Sequence, residues 1–189
     1  MYFKIIYKSY LLWTCYRGCS FISCKIKYKF VTKKYLSLFI ITIITLGCSY
    51  ASALVTRKSN DTWYQSLTKA SLSPPDWVFA PVWITLYILM SIAVWKVYNR
   101  LKSTEISNAK KIIKLYYVHL LVNVTWPIIF FEFQLIFLGF VNIVILLLFI
   151  ILLMKLYFNI LINSFYLMIP YFVWVCFAGY LNFEIFRLN

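Results

Sequence analysis

The chain has 189 residues, of which 63% are apolar and 13% charged, and the charged fraction is about half that of an ordinary soluble domain. Aromatic residues make up 21% of the chain, more apolar surface than a soluble core of this size could bury. The net charge of +14 is carried by Lys and Arg at the ends of apolar runs. That placement is typical of membrane topology and argues against a nucleic-acid-binding protein.

Residues 1–34 form a basic, aromatic lead without any acidic residue. Its apolar runs are shorter than the about 20 residues that cross a bilayer. We expect a flexible or surface-lying tail rather than a cleavable signal peptide. The five Cys residues lack the close pairing of a zinc site, so we predict free thiols and no metal site.

Residues 35–189 are predicted to form one membrane domain. They contain five apolar segments, each long enough to cross a bilayer, and a lipid-exposed backbone has to be helical. We therefore predict an all-α integral membrane protein, a five-transmembrane-helix bundle with a long loop between helices 1 and 2. The predicted spans are Tyr35–Leu54, Val78–Tyr98, Ile112–Phe131, Leu135–Met154 and Leu161–Phe183.

The second segment opens with the densest motif, from Trp77 to Tyr87. Pro81 removes a backbone donor and predicts a kink. Trp77 and Phe79 suit an interfacial aromatic belt. Trp83 lies deeper, shares a helix face with Tyr87, and suits a pocket better.

The third segment places His119, Asn123, Trp126 and Phe130 on one helix face. An Asn in a membrane helix serves either interhelical hydrogen bonding or ligand contact, and for Asn123 and Asn182 we weigh the two equally. His119 is the only His of the chain. It could ligate haem iron or relay protons, but a hydrogen-bonded interior His is the commoner case.

The fifth segment places Tyr171, Trp174, Ala178 and Leu181 on one face in the same way. Ala178 and Gly179 leave room beside Trp174.

Three blocks of the sequence, in this order, resemble the TspO/translocator protein family, which comprises the tryptophan-rich sensory proteins and peripheral-type benzodiazepine receptors. The first is Trp63-Tyr64 followed by Pro-Pro-x-Trp-x-Phe-x-Pro-Val-Trp-x-x-Leu-Tyr over residues 74–87. The second is Asn-Val-Thr-Trp-Pro-Ile-Ile-Phe-Phe over residues 123–131. The third is Pro-Tyr-Phe-Val-Trp-Val-Cys-Phe-Ala-Gly-Tyr-Leu-Asn-Phe over residues 170–183. The resemblance covers about residues 35–189.

This resemblance implies a membrane receptor or sensor, linked to tetrapyrrole regulation, that binds porphyrins such as protoporphyrin IX or haem, and similar flat hydrophobic ligands, in an aromatic pocket. No cofactor is required. One alternative is light-dependent porphyrin degradation, with Trp83 and Trp174 as the catalytic residues; another is porphyrin or sterol transport. Trp63 and Tyr64, on the long first loop, are expected to cover the pocket as a lid. The predicted ligand-binding residues are Trp63, Tyr64, Phe79, Trp83, Tyr87, His119, Asn123, Trp126, Trp174 and Ala178.

Two departures from the family's patterns bear on partners. Phe183 stands where the cholesterol-recognition pattern needs Tyr, which argues against sterol binding. The small-x3-small patch that some relatives show on helix 3 is absent. The nearest such pair is Gly47 and Ala51 on helix 1, a weak packing signal, so a homodimer remains an open alternative.

The lead and the loop between the second and third segments hold most of the basic residues. By the positive-inside rule the N-terminus lies inside and the C-terminus outside, and we expect the bacterial cell membrane. In a variant whose native Cys residues are replaced, Glu105→Cys should react with an impermeant thiol reagent only from the inside, and Lys69→Cys only from the outside. Labelling of residue 105 from the outside alone would reverse the orientation.

Overall fold

The computed structural model describes the backbone of residues 21–59, 63–102 and 104–189, and side chains for 35–57, 63–102 and 104–189. Residues 1–20, most of the predicted lead, lie outside the described residues. From Phe21 the backbone is helical and continues into the first membrane helix. That helix therefore begins before the predicted boundary at residue 35.

Six α-helices follow one another in the described residues, and five of them contain a stretch long and apolar enough to cross a membrane. The all-α fold with five spans is thus confirmed. The helices are α1 (Phe21–Ser59), α2 (Trp63–Ser66), α3 (Phe79–Lys102), α4 (Ile106–Pro127), α5 (Ile136–Ile160) and α6 (Ile162–Leu188).

The membrane bundle is built on a closed ring of four helices. α3 packs against α4 and α6, and α5 packs against the same two helices. Contacts divide the chain after Phe39, and the unit Ile40–Asn189 contains this ring together with the second half of α1. The ring interior is filled by side chains without exposed surface, including Met90, Ile150 and Met168.

Within that unit, α1 is the least buried of the spanning helices. In its most apolar window 17% of the residues are buried, compared with 33% in each of the other four. Ile41 and Thr45 are buried in the bundle, and the Thr45 hydroxyl lies 2.9 Å from the hydroxyl of Tyr116 on α4. Gly47 has no heavy atom within 4 Å of an added Cβ, so the Gly47–Ala51 pair makes no close helix packing within this unit.

The outer faces of the ring helices are apolar and exposed. Leu121, Leu148 and Val173 are 63%, 63% and 58% accessible. An apolar surface of this extent is a liability in water but is what contact with lipid tails requires.

Two prolines shape the end of the bundle where α2 lies. Pro81 falls in the first turn of α3, where helix N–H groups have no partner in any case. Its missing N–H therefore gives no reason for the predicted kink. Pro127 ends α4, and the chain continues as a π-helical turn, Ile128–Glu132. This turn directs Phe130 and Phe131 into the protein, where both are buried.

Gly139 marks a close contact between α5 and its neighbours. A Cβ there would lie 3.0 Å from Asn182 Oδ1 and 3.2 Å from Phe130 Cδ2. Gly139→Ala should therefore lower the melting temperature in detergent, since overpacking costs about 1–3 kcal/mol. Gly47→Ala is the matched control, because it gains about 1 kcal/mol of helix propensity without a clash. Equal melting temperatures for the two variants would contradict the close approach.

Candidate ligand-binding site

A cavity of about 700 Å³ lies at the end of the bundle beneath α2. Its wall is contributed by all six helices and the π-helical turn, and it is mainly apolar. Cavities of about 300–1,000 Å³ with apolar walls and a few polar groups are typical of small-molecule sites. The aromatic residues in the wall are Tyr50, Tyr64, Phe79, Trp83, Tyr87, Trp126, Phe130, Phe131 and Trp174.

The wall aromatics contact one another in pairs. Trp83 stacks on Tyr87 with ring centroids 5.4 Å apart and an interplanar angle of 28°. Phe79, one turn before Trp83, meets Trp174 of α6 edge-on at 5.8 Å. Because each of these four rings is packed against a neighbour, this part of the wall is preformed.

A hydrogen-bonded network lies at the inner end of the cavity. The Tyr87 hydroxyl donates to Oδ1 of Asn123, and Nδ2 of Asn123 donates to the Tyr171 hydroxyl at 2.9 Å. The Tyr171 oxygen is also 2.9 Å from Nε2 of His119. A Tyr171 hydroxyl that accepts from Asn123 can donate its own proton to His119 Nε2, and Nδ1 of the buried His119 ring has no hydrogen-bond partner. The network ties α3, α4 and α6 together.

A second amide closes the other side of the cavity. Asn182 Oδ1 accepts from the indole N–H of Trp126 at 3.1 Å. Its Nδ2 donates to the backbone carbonyl of Ile136 at 2.9 Å. Asn123 and Asn182 both line the cavity and both make interhelical hydrogen bonds. The interhelical hydrogen bonds are thus observed, and contact of either residue with a ligand stays a prediction.

The short helix α2 packs over the π-helical turn. Trp63 meets Phe130 with ring centroids 5.6 Å apart, and Tyr64 meets Phe131 at 5.4 Å. Burial, with a smaller effect of the Asp76 charge, raises the pKa of Tyr64 above its ordinary value. Tyr64 is thus a neutral aromatic over the cavity at physiological pH.

A side-chain clasp holds the loop behind α2 to the end of α6. The backbone N–H of Thr68 donates to Oδ1 of Asn189 at 2.9 Å. Nδ2 of Asn189 donates back to the Thr68 carbonyl at 3.1 Å. The loop is therefore bound to the bundle through both polar groups of one backbone residue.

The structure brings together eight of the ten predicted site residues in the cavity wall. His119 and Trp63 are the two that do not line it. His119 has no exposed surface and lies behind Tyr171. Trp63 packs on the outer side of Phe130 and supports the wall indirectly. In the described residues no group of three His, Cys, Asp or Glu side chains could hold a metal ion.

The α1 wall of the cavity was not predicted from the sequence. It is formed by Leu46, Ser49, Tyr50, Ser52, Ala53, Thr56 and Arg57. Small and hydroxyl-bearing residues recur there at intervals of three and four, as on one face of a helix. That spacing is the signal that could have identified the wall.

The family model described as TspO/MBR family matches residues 39–188, which include every residue of the cavity wall. The chain belongs to the TspO/MBR family. It is 36% identical over 160 residues to the tryptophan-rich protein TspO of Chlorobaculum tepidum, covering 84% of this chain and 99% of that protein. It is 34% identical to protein CrtK of Rhodobacter capsulatus, covering 82% and 95%. Against the human translocator protein it is 40% identical over 88 residues, covering 46% and 50%.

The three sequence blocks that resemble the TspO/MBR family fall on the cavity. The first supplies Phe79, Trp83 and Tyr87, and the second supplies Asn123 and Trp126. The third supplies Trp174, Ala178, Leu181 and Asn182 to the α6 wall. The family motifs thus coincide with the residues that define the site's shape.

Tyr171→Phe should destabilise the protein by about 1–3 kcal/mol, because it leaves the Asn123 amide and the His119 ring buried without a shared partner. Thermal unfolding in detergent measures the loss. Tyr157→Phe is the matched control, because the buried Tyr157 hydroxyl has no hydrogen-bond partner and its removal costs little. If Tyr157→Phe were the more damaging change, the network would not have the importance assigned to it.

Proposed function

We propose that this protein is a membrane receptor or sensor that binds porphyrins and similar flat hydrophobic ligands in the cavity beneath α2, linked to tetrapyrrole regulation. Proteins of the TspO/translocator family are sensory and receptor-type proteins. The observation that carries the proposal is the aromatic wall, to which α1, α2, α3, α4 and α6 each contribute at least one ring.

The chemistry of the wall favours a flat, apolar ligand. A tetrapyrrole has two large faces and gains both apolar burial and ring stacking against indole and phenol side chains. The polar groups at the inner end, Tyr87 and Asn123, are neutral and bonded to each other. They tolerate the edge of a ring system but offer no counter-charge to a buried ion.

One donor in the wall is left for a ligand. The indole N–H of Trp174 is buried and has no hydrogen-bond partner, although the Trp174 side chain lines the cavity. A ligand acceptor placed beside it would satisfy a donor that otherwise costs about 1–3 kcal/mol. No feature of the described residues favours porphyrin degradation or transport over binding.

The setting proposed for this function is a bacterial cell membrane with the N-terminus inside and the cavity near the outer face. This orientation follows from the basic residues of the loop around residue 105, which lies at the end of the bundle away from the cavity. The bacterial setting is supported by bacterial relatives that align along nearly their whole length.

Trp83→Ala should weaken protoporphyrin IX binding about tenfold or more, because it removes both stacking and burial from the wall. Trp83→Phe should retain most of the affinity, since an aromatic face remains. Titration of the porphyrin absorbance with detergent-purified protein measures both.

The control for this series is Trp77→Ala. Trp77 is 74% exposed and lies outside the cavity wall, so its loss should leave porphyrin affinity unchanged. Equal weakening by Trp77→Ala and Trp83→Ala would mean that porphyrin binds to the outer aromatic belt instead of the cavity.

A further inference from the structure

The mouth of the cavity carries charges of opposite sign on opposite elements. Among the described residues that line the cavity, only Arg57 and Asp76 are charged. Arg57 ends the membrane span of α1, and Asp76 begins the span that contains α3. Both side chains are exposed, so they lie where the apolar cavity meets water.

Arg57 belongs to the cavity face of α1. Ala53 and Thr56, four and one residues before it, line the same cavity, as expected for positions on one side of a helix. Among the residues whose side chains are described, no carboxylate lies within salt-bridge distance of Arg57. Its guanidinium is therefore open to an anionic group at the mouth.

The inner end of the cavity would not accept such a group. Asn123 is bonded to Tyr87 and Tyr171, and Asn182 is bonded to Trp126 and Ile136. A carboxylate there would lose its hydration without gaining a cation, which is strongly unfavourable. At the mouth it keeps contact with water and gains a charge-assisted hydrogen bond from a guanidinium, whose fork matches a carboxylate.

Asp76 determines which side of the mouth favours an anion. Its negative charge disfavours a second anion on the α3 side and leaves the α1 side, at Arg57, as the favourable position. The two residues thus distinguish the two edges of an otherwise apolar opening.

We propose that Arg57 is a specificity-determining residue of the cavity, and that it pairs with a carboxylate of the bound ring system at the α1 side of the mouth. This deepens, and rests on, the proposed binding of flat hydrophobic ligands. Arg57 then fixes the orientation of the ligand, and the aromatic wall supplies most of the binding free energy.

Protoporphyrin IX and its dimethyl ester provide the test, because they share the ring system and differ in the carboxylates. Their affinities are compared by fluorescence quenching for the native protein, Arg57→Gln and Arg187→Gln, in nanodiscs of zwitterionic lipid at low salt. Arg187 lies in the last turn of α6, at the cavity end of the bundle, is paired with Glu184, and does not line the cavity. Its substitution therefore removes the same charge from the same end of the protein.

Arg57→Gln should weaken diacid binding about threefold to fivefold, the effect of a partly exposed ion pair, and leave the diester unchanged. Arg187→Gln should change neither, and high salt should reduce the difference between native protein and Arg57→Gln. Equal losses for the two substitutions, or equal losses for diacid and diester in Arg57→Gln, would overturn the assignment of Arg57 while leaving the aromatic site intact. If the native protein bound neither compound, the proposed function itself would fail.

Discussion

A lipid-exposed bundle has to satisfy its buried polar groups from within, because the surrounding hydrocarbon offers no hydrogen-bond partner. In this chain the amide of Asn123 meets that demand across three helices, through Tyr87 on α3 and Tyr171 on α6. His119 extends the arrangement through the contact of its Nε2 with the Tyr171 hydroxyl. The same residues form the inner end of the cavity, so the interaction that joins the helices also determines what a ligand meets there. Because the Asn123 amide is already bonded to Tyr87 and Tyr171, few polar groups are left to bind an ion. The inner end of the cavity therefore favours neutral, apolar ligands.

The cavity depends on an unequal division of packing between the ring and α1. The ring of α3, α4, α5 and α6 buries its large side chains in a continuous core. α1 instead presents Ser49, Ser52 and Ala53 toward the same end of the bundle. Small side chains at these positions leave space that larger ones would fill. The tie between Thr45 and Tyr116 lies on the other side of this space, farther along α1 from the mouth. The cavity is therefore a consequence of side-chain size on one helix combined with a rigid set of four others.

The five spans could be predicted because length and hydropathy alone decide whether a segment crosses a bilayer. Most of the aromatic wall could be predicted as well, since Trp83, Asn123 and Trp174 occur at helical spacing with other large residues. Helical spacing shows which residues share a face, but not how far along the helix the cavity extends. His119 shares a face with Asn123 but comes one turn earlier in α4, about 6 Å farther from the cavity. There Tyr171 covers it. The α1 wall was missed for another reason: Ser, Ala and Thr at intervals of three and four carry no chemical signal until the structure places them opposite the aromatic residues.

The tryptophans of this chain have two roles: some anchor a helix at the membrane boundary, and others line the cavity. The position of a Trp along its span determines which role it has. Trp77 stands at the boundary of its span and is 74% exposed, the position at which an indole anchors a helix among lipid headgroups. Trp83 is six residues farther along, about 9 Å deeper at 1.5 Å per residue, and it faces the cavity, where it stacks on Tyr87. At the boundary the indole N–H can reach water or headgroups. Deeper in the bundle it needs a partner from the protein, as Trp126 finds in Asn182, or remains unpaired, as at Trp174. An unpaired indole inside an aromatic wall costs stability, and under the proposed function a ligand acceptor beside Trp174 would offset that cost.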